Sequence, residues 1–190
     1  MSKSALLVID FINDIVNPDG KLKSCVAYCE QHDVFSKANQ AIAWAKQNTV
    51  PVIFVKVGFS KNYIECPKSS QVFSAAEQHG ALTLGEWGTE FDTRINADQA
   101  DAVIIKHRVS CFYNTDLETI LKANNIDTIL LAGVATEMAI VSAAREGLDR
   151  DYQMVVLEDA CGGRDHAGQE MAISMCNNVA KVIKVAELKL

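Results

Sequence analysis

Short apolar runs rich in β-branched residues recur along the chain, and most are separated by apolar positions at helical spacing. The runs predict buried strands over 4–9, 51–57, 100–106, 127–132, 152–157 and 181–185. Helical patterns predict helices over 33–48, 70–78, 115–124, 136–148 and 165–178. Strands that alternate with helices indicate a parallel sheet with helices on both faces. The predicted fold class is therefore α/β, a doubly wound six-stranded parallel sheet.

Two of the predicted helices begin with capping signals. Asp33 precedes the first helical pattern and is a residue type that accepts hydrogen bonds from free N–H groups at a helix start. Thr115 followed by Glu118 has the spacing of a capping box. We therefore predict that both side chains cap their helices.

Residues 58–98 interrupt the alternation. They show little sustained periodicity apart from one short helical pattern, and their composition is not that of a linker. Long irregular segments inside a compact domain often form lids or binding loops. We therefore predict one domain over residues 1–190, with an active-site excursion at about 58–98.

Composition excludes several classes of function. The chain has 190 residues, 49% of them hydrophobic, and a net charge of −6 without a basic run, which argues against a nucleic-acid partner. No apolar run approaches the roughly 18 residues that cross a bilayer, and the N-terminus lacks the features of a signal peptide. The six cysteines are then expected to be reduced thiols in a cytoplasmic protein without a membrane partner.

Chemistry-bearing residues follow the predicted strands. Asp10 ends the first strand, Lys106 ends the third, and the turn 133–136 follows the fourth. Because the carboxyl ends of parallel strands share one edge of the sheet, an acid, an amine and a helix N-terminus should converge there. A buried carboxylate and ammonium in contact would alter each other's pKa. Alternatively, Asp10 caps its loop and Lys106 is a solvated strand end.

The motifs LLVIDFIND, GEWGTE, IIKHRVSCFYNTDLE and LAGVATEMAIVSAAREGLDRDYQMVVLEDAC resemble those of the isochorismatase-like hydrolase superfamily, in the same order and over nearly the whole chain. The resemblance implies a doubly wound sheet of six parallel strands, in agreement with the pattern above. Most members are cysteine hydrolases with an Asp–Lys–Cys triad, and Asp10 and Lys106 match the first two members. The resemblance also implies a small-molecule substrate and a homodimer or homotetramer.

The third triad position is occupied by Ala139, which has no nucleophile. The covalent thioester route needs an activated thiolate and cannot operate at this position. Cys161, which follows a predicted strand, and Cys111, which follows Lys106, remain alternatives for a relocated thiol. The resemblance also implies a cis peptide bond between Val134 and Ala135. It further implies that the amides of Ala135 and Ala139 donate hydrogen bonds to an oxyanion.

No metal and no cofactor are expected. Related nicotinamidases carry an aspartate and paired histidines after the second strand, whereas this chain has Val57-Gly58-Phe59-Ser60 there. Cys25, Cys29 and His32 have no second ligand pair at a recognisable spacing, so buried thiols are the preferred interpretation.

True isochorismatases, which also lack the cysteine, cleave a vinyl ether without an acyl-enzyme. That reaction needs a carboxylic acid that stays protonated in an apolar pocket. The resemblance makes Asp10 the general acid and gives Lys106 the task of positioning a substrate carboxylate or water, on a small anionic substrate such as isochorismate. An amide hydrolase with a non-covalent or relocated-thiol mechanism, and a catalytically silent binding protein, remain alternatives.

Further candidates surround these positions, each with a structural alternative. Phe59 and Trp87 would wall a pocket or anchor a loop. Arg108 would bind a substrate carboxylate through its guanidinium or form a salt bridge. Tyr113 would donate to substrate or cap its loop. Thr136, at the start of the helix, is placed with the substrate-binding residues.

Overall fold

The computed structural model describes residues 3–189. The strands are β1 (Ser4–Ile9), β2 (Val52–Val57), β3 (Ala102–Lys106), β4 (Thr128–Val134), β5 (Gln153–Gly162) and β6 (Lys181–Ile183). The α-helices are α1 (Asn13–Val16), α2 (Val26–Gln31), α3 (Val34–Gln47), α4 (Ser74–His79), α5 (Leu117–Ala123), α6 (Val141–Asp149) and α7 (His166–Cys176). A π-helical turn, Thr136–Ile140, joins β4 to α6.

The six strands form one parallel sheet in the order β3-β2-β1-β4-β5-β6. The order reverses between β1 and β4, and such a reversal opens a crevice at the carboxyl ends of the strands. The predicted fold class is confirmed, and the crevice lies where Asp10 and the turn after β4 are found.

Alternate residues of β1 face two separate hydrophobic cores, as the period of a strand requires. Leu6 and Val8 belong to the core that includes α3. Leu7 and Ile9 belong to the core that includes α5, α6 and α7. Each central strand is therefore covered on both faces, which explains its continuous apolar sequence.

The Asp33 cap is absent, whereas Thr115 binds the start of its helix without the predicted capping box. Asp33 adopts a left-handed conformation, with φ of 54°, and its side chain makes no capping hydrogen bond to α3. Thr115 Oγ1 accepts from the amide of Leu117, the first residue of α5, at 3.3 Å and donates to the carbonyl of Cys111 at 2.6 Å. The Glu118 carboxylate instead pairs with Lys122 and Arg150. Charged partners thus take up the Glu118 carboxylate that a capping box would use.

Residues 58–98 are mostly irregular, with α4 and two short 3-10 turns. The buried Asp14 carboxylate ties this excursion to the loop after α1: Oδ1 accepts from the amide of Lys21 at 3.1 Å, and Oδ2 from the amide of Leu82 at 2.7 Å. These bonds bring Leu22 and Leu82 to the edge of the sheet where β1 and β3 end.

Candidate active site

Asp10 and Lys106 form a buried ion pair at the carboxyl edge of the sheet. Lys106 Nζ lies 2.7 Å from Asp10 Oδ2, and the Val57 amide donates to Asp10 Oδ1 at 2.9 Å. Lys106 also donates to the carbonyl of Val109 at 3.0 Å. The side chains predicted to converge are in contact because β1, β2 and β3 are neighbours in the sheet.

The backbone of Asp10 is left-handed, with φ of 60°. Aspartate tolerates this region better than most residues. The amide of Asp10 still donates to the carbonyl of Val55 at 2.8 Å, so the chain leaves the sheet only after this residue. The carboxylate is therefore held at the end of β1.

The protonation of Asp10 is set by opposing effects. Burial raises the pKa of the Asp10 carboxyl above its ordinary value, against the lowering effect of the Lys106 ammonium and the Val57 amide. Desolvation is the largest of these effects. The carboxyl consequently retains its proton to a higher pH than an exposed aspartate does, as a general acid requires.

A cavity of about 290 Å³ opens above this ion pair. Three of its lining residues are polar, namely Asp10, Ser24 and Lys106, and the remainder are apolar. They are Ile15, Leu22, Val57, Val72, Phe73, Leu82, Val109, Ala135, Met138 and Ala139. The volume is at the lower end of the roughly 300–1,000 Å³ of ligand pockets, which favours a small substrate.

The turn after β4 supplies one wall of the cavity. The peptide bond between Val134 and Ala135 is cis, as expected, and Ala135 and Ala139 both line the cavity, whereas Val134 is buried in the core. The Ala139 amide donates to the carbonyl of Ala135 at 2.9 Å, so it is not free to bind an oxyanion. Among residues 3–189, the Ala135 amide makes no backbone hydrogen bond outside the strands.

The methyl group of Ala139 stands where the resemblance places a thiol. Neither candidate for a relocated thiol lines the cavity. Burial raises the pKa of Cys111 to about 12 and that of Cys161 higher still. Both are therefore neutral thiols at physiological pH and are poor nucleophiles.

The five predicted substrate-binding residues are not among the lining residues of this cavity. Phe59 is fully buried and packs edge-on against Phe73 at 5.3 Å, so it supports a cavity wall from behind. Trp87 is half-exposed in a 3-10 turn, where its carbonyl accepts from Asn13 at 2.8 Å. Thr136 is buried, and its hydroxyl donates to Gln169 Oε1 at 2.6 Å.

Arg108 and Tyr113 lie beside a second depression, together with His107 and residues 64–67. Arg108 donates to the carbonyls of Glu65 and His107, at 3.0 and 2.6 Å, and so stabilises a loop. Tyr113 is mostly exposed. Neither residue lines the cavity that contains Asp10.

Several cavity residues carried no recognisable signal in the sequence. Leu22, Val72 and Leu82 come from irregular segments, and Met138 lies in the π-helical turn. π-Helical turns are frequent at functional sites. A period-based search overlooks such residues because their positions depend on long-range contacts such as those of Asp14.

The described part of the chain offers neither a metal site nor a membrane span. Among residues 3–189, no group of three or more histidine, cysteine, aspartate or glutamate side chains is placed to hold a metal ion. All six cysteines are buried and unpaired. No helix in the same range is long and apolar enough to cross a bilayer.

Known proteins resemble this chain in sequence and in fold. YecD of Escherichia coli O157:H7, an uncharacterised isochorismatase-family protein, is 31% identical over 157 residues, which cover 82% of this chain and 81% of YecD. The ureidoacrylate amidohydrolase RutB of Yersinia enterocolitica is 30% identical over 172 residues, covering 84% of this chain and 75% of RutB. The crystal structure of N-carbamoylsarcosine amidase from Thermoplasma acidophilum superposes with a TM-score of 0.80 and 26% identity, covering 99% of each chain.

A structure of an isochorismatase-like hydrolase from Alkaliphilus metalliredigens shares the fold, with a TM-score of 0.83 at 23% identity, covering 98% of this chain and 97% of that one. The family described as Isochorismatase domain matches residues 4–187, nearly the whole chain. The chain therefore belongs to the isochorismatase family and is a hydrolase.

Proposed function

We propose that the chain hydrolyses a carboxyvinyl ether, R–O–C(=CH₂)–CO₂⁻, with Asp10 as proton donor, Lys106 as the anchor of the carboxylate and water as nucleophile. The observation that carries the proposal is the buried Asp10–Lys106 pair at 2.7 Å, on the floor of a cavity with no thiol in its lining. A protonated carboxyl in an apolar cavity is the group that this reaction needs.

The reaction balances with one carboxyl group. Asp10 protonates the terminal methylene carbon, which becomes a methyl group and leaves an oxocarbenium ion. Water adds to the cationic carbon and returns a proton to the Asp10 carboxylate. The resulting hemiketal collapses to pyruvate and the alcohol R–OH, so Asp10 ends in its starting state.

The separation of the two side chains suits this substrate. In a carboxyvinyl ether the carboxylate and the methylene are both bonded to the same carbon atom. A carboxylate that binds Lys106 therefore places the methylene near the neighbouring Asp10. It also replaces Asp10 as the counter-ion of Lys106, which favours the protonated form of Asp10.

Amide hydrolysis is the second candidate. Two relatives are described as ureidoacrylate amidohydrolase and N-carbamoylsarcosine amidase, and the Ala135 amide could bind a developing oxyanion. With alanine at position 139, Asp10 would act on this route as a general base that activates water. The two routes thus require opposite protonation states of Asp10.

Pyruvate release from alkyl carboxyvinyl ethers and from isochorismate, followed with lactate dehydrogenase, tests the proposal. Asp10→Asn should lower kcat/KM by about 10²–10⁴-fold because it removes the proton donor. Asp101→Asn is the matched control, since Asp101 also accepts a β2 amide and pairs with a lysine, but lies away from the cavity. Wild-type turnover by Asp10→Asn would refute the assignment.

The pH profile separates the two routes. For a general acid, kcat/KM on the vinyl ether falls as pH rises through the raised pKa of Asp10. For a general base acting on an amide, kcat/KM rises through the same pKa. A vinyl-ether rate that increased across this range would exclude Asp10 as the donor.

A further inference from the structure

The charged groups of the cavity are confined to its floor. Asp10 and Lys106 are both buried, and no other charged side chain lines the cavity within the described residues. The floor can therefore neutralise one substrate anion, because Lys106 is its single cation. A second anionic group would have to lie against the walls.

Apart from Ser24, the walls and the rim of the cavity are apolar. Ile15, Phe73 and Leu82 are buried wall residues. Val72 and Met138 also line the cavity but are 49% and 39% exposed, which places them at its mouth. Exposed apolar side chains at a cavity mouth extend the apolar surface toward solvent and often mark a ligand-binding site.

This distribution favours one kind of substrate body. Every methylene that moves from water onto apolar walls strengthens binding about fourfold. A second carboxylate on the same walls would lose its hydration without gaining a cationic partner, which is costly. The cavity therefore favours substrates whose remaining part is apolar over substrates that carry a second charged group.

We propose that the substrate is a monoanion whose single carboxylate binds Lys106 and whose remaining body is apolar and extends between Val72 and Met138. The proposal rests on the proposed function of the same cavity and narrows its substrate class. It makes dianionic carboxyvinyl ethers, isochorismate among them, poor substrates relative to monoanionic ethers of an apolar alcohol.

Calorimetric binding of unreactive carboxylates to the wild-type protein tests this substrate class. From butanoate to hexanoate, affinity should rise about fifteenfold for the two added methylenes. Adipate, which has the length of hexanoate but a second carboxylate, should bind at least about tenfold more weakly than hexanoate. Equal affinities for adipate and hexanoate, or for butanoate and hexanoate, would overturn the proposal.

Two methionine variants locate the apolar body. Met138→Ala should weaken octanoate binding about three- to tenfold and leave butanoate binding unchanged, since only the longer chain reaches the mouth. Met171→Ala is the control, because Met171 is an exposed methionine of α7 away from the cavity, and it should change neither affinity. Equal effects of the two variants on octanoate affinity would contradict the proposal that the substrate body extends toward Met138.

The experiments test the proposed substrate class and the proposed reaction separately. The carboxylate probes bind without turnover, so their affinities do not depend on Asp10 acting as an acid. Conversely, the Asp10→Asn assay measures turnover of whichever carboxyvinyl ether is cleaved. Discrimination against adipate together with an active Asp10→Asn variant would sustain the substrate class and refute the mechanism.

Discussion

Replacing Lys106 with methionine tests the coupling on which the site depends. The side chains of Lys106 and Asp10 are 2% and 5% exposed, and the variant leaves the Asp10 carboxylate with the Val57 amide as its remaining donor. Removing one partner of a buried ion pair typically costs about 3–5 kcal/mol. We expect a loss of this size in the free energy of unfolding at pH 7.

The loss should shrink as the pH falls. Without the ammonium, the pKa of Asp10 rises above its already raised value in the folded protein. A group with a raised pKa in the folded state contributes stability that is fully present below its unfolded pKa and is lost as pH rises through its folded pKa. At pH values between the folded-state Asp10 pKa of the wild type and that of the variant, each unit by which the pH falls therefore restores about 1.4 kcal/mol of the variant's free energy of unfolding. From pH 7 to pH 5 the variant regains at most about 2.7 kcal/mol relative to the wild type.

The chain contains a matched control for this experiment. Lys46 and Asp101 also lie 2.7 Å apart, and Asp101 likewise accepts an amide of β2, but these side chains are 36% and 46% exposed. Lys46→Met should cost about 0–1 kcal/mol and show no comparable change between pH 5 and pH 7.

Urea unfolding followed by circular dichroism at both pH values measures these differences. The double variant Asp10→Asn/Lys106→Met removes both charges and should recover much of the loss at pH 7, since a buried pair can be replaced by neutral groups at little cost. A Lys106→Met penalty that is independent of pH, or no larger than that of Lys46→Met, would refute the proposed coupling.

Three further substitutions test individual features of the fold and the site. Gly133→Ala should lower the free energy of unfolding in urea by about 2–4 kcal/mol, because the φ of Gly133 is 146° and a Cβ atom would lie 2.4 Å from a carbonyl of β1. The control Gly85→Ala should cost only about 1–2 kcal/mol, because Gly85 has a φ of 82° but open space around it. Ala139→Cys should introduce a thiol that iodoacetamide reaches through the cavity in the native protein, whereas the buried wild-type cysteines react slowly. Equal labelling rates of the variant and the wild type would contradict the placement of residue 139 in the cavity lining. Asp14→Ala leaves two amides without their acceptor and should lower the free energy of unfolding by about 2–4 kcal/mol. The same substitution at the exposed Asp98 should cost less than about 0.5 kcal/mol, and equal losses would contradict a stabilising role of the Asp14 hydrogen bonds.

The sheet and the Asp10–Lys106 contact could be predicted because both follow from local patterns. An apolar run identifies a strand, and the residue that follows it lies at the strand's carboxyl end. Parallel pairing then brings these ends to one edge of the sheet, and the contact itself forms because β1 and β3 flank β2. The cis peptide bond followed instead from the resemblance, since neither periodicity nor composition indicates it.

The cavity walls and the substrate-binding side chains could not be predicted in the same way. Phe59 was expected in a wall, but it does not line the cavity and instead packs against Phe73, which does. Arg108 has the chemistry to bind a carboxylate, yet two backbone carbonyls satisfy its guanidinium. Residue type shows what a side chain can bind, whereas the direction of that side chain depends on long-range contacts that have no periodic signal in the sequence.

The burial of Asp10 also bears on the order of the proton transfers. In the proposed mechanism, Ala139 offers no nucleophile, water attacks instead, and one carboxyl both donates and accepts a proton during the reaction. Amide hydrolysis begins with base-assisted attack by water and so needs Asp10 ionised at the start. Vinyl-ether hydrolysis begins with protonation of carbon and needs it protonated. Desolvation is the largest effect on the Asp10 pKa and raises it, and this direction supports the proposed order in which Asp10 donates first.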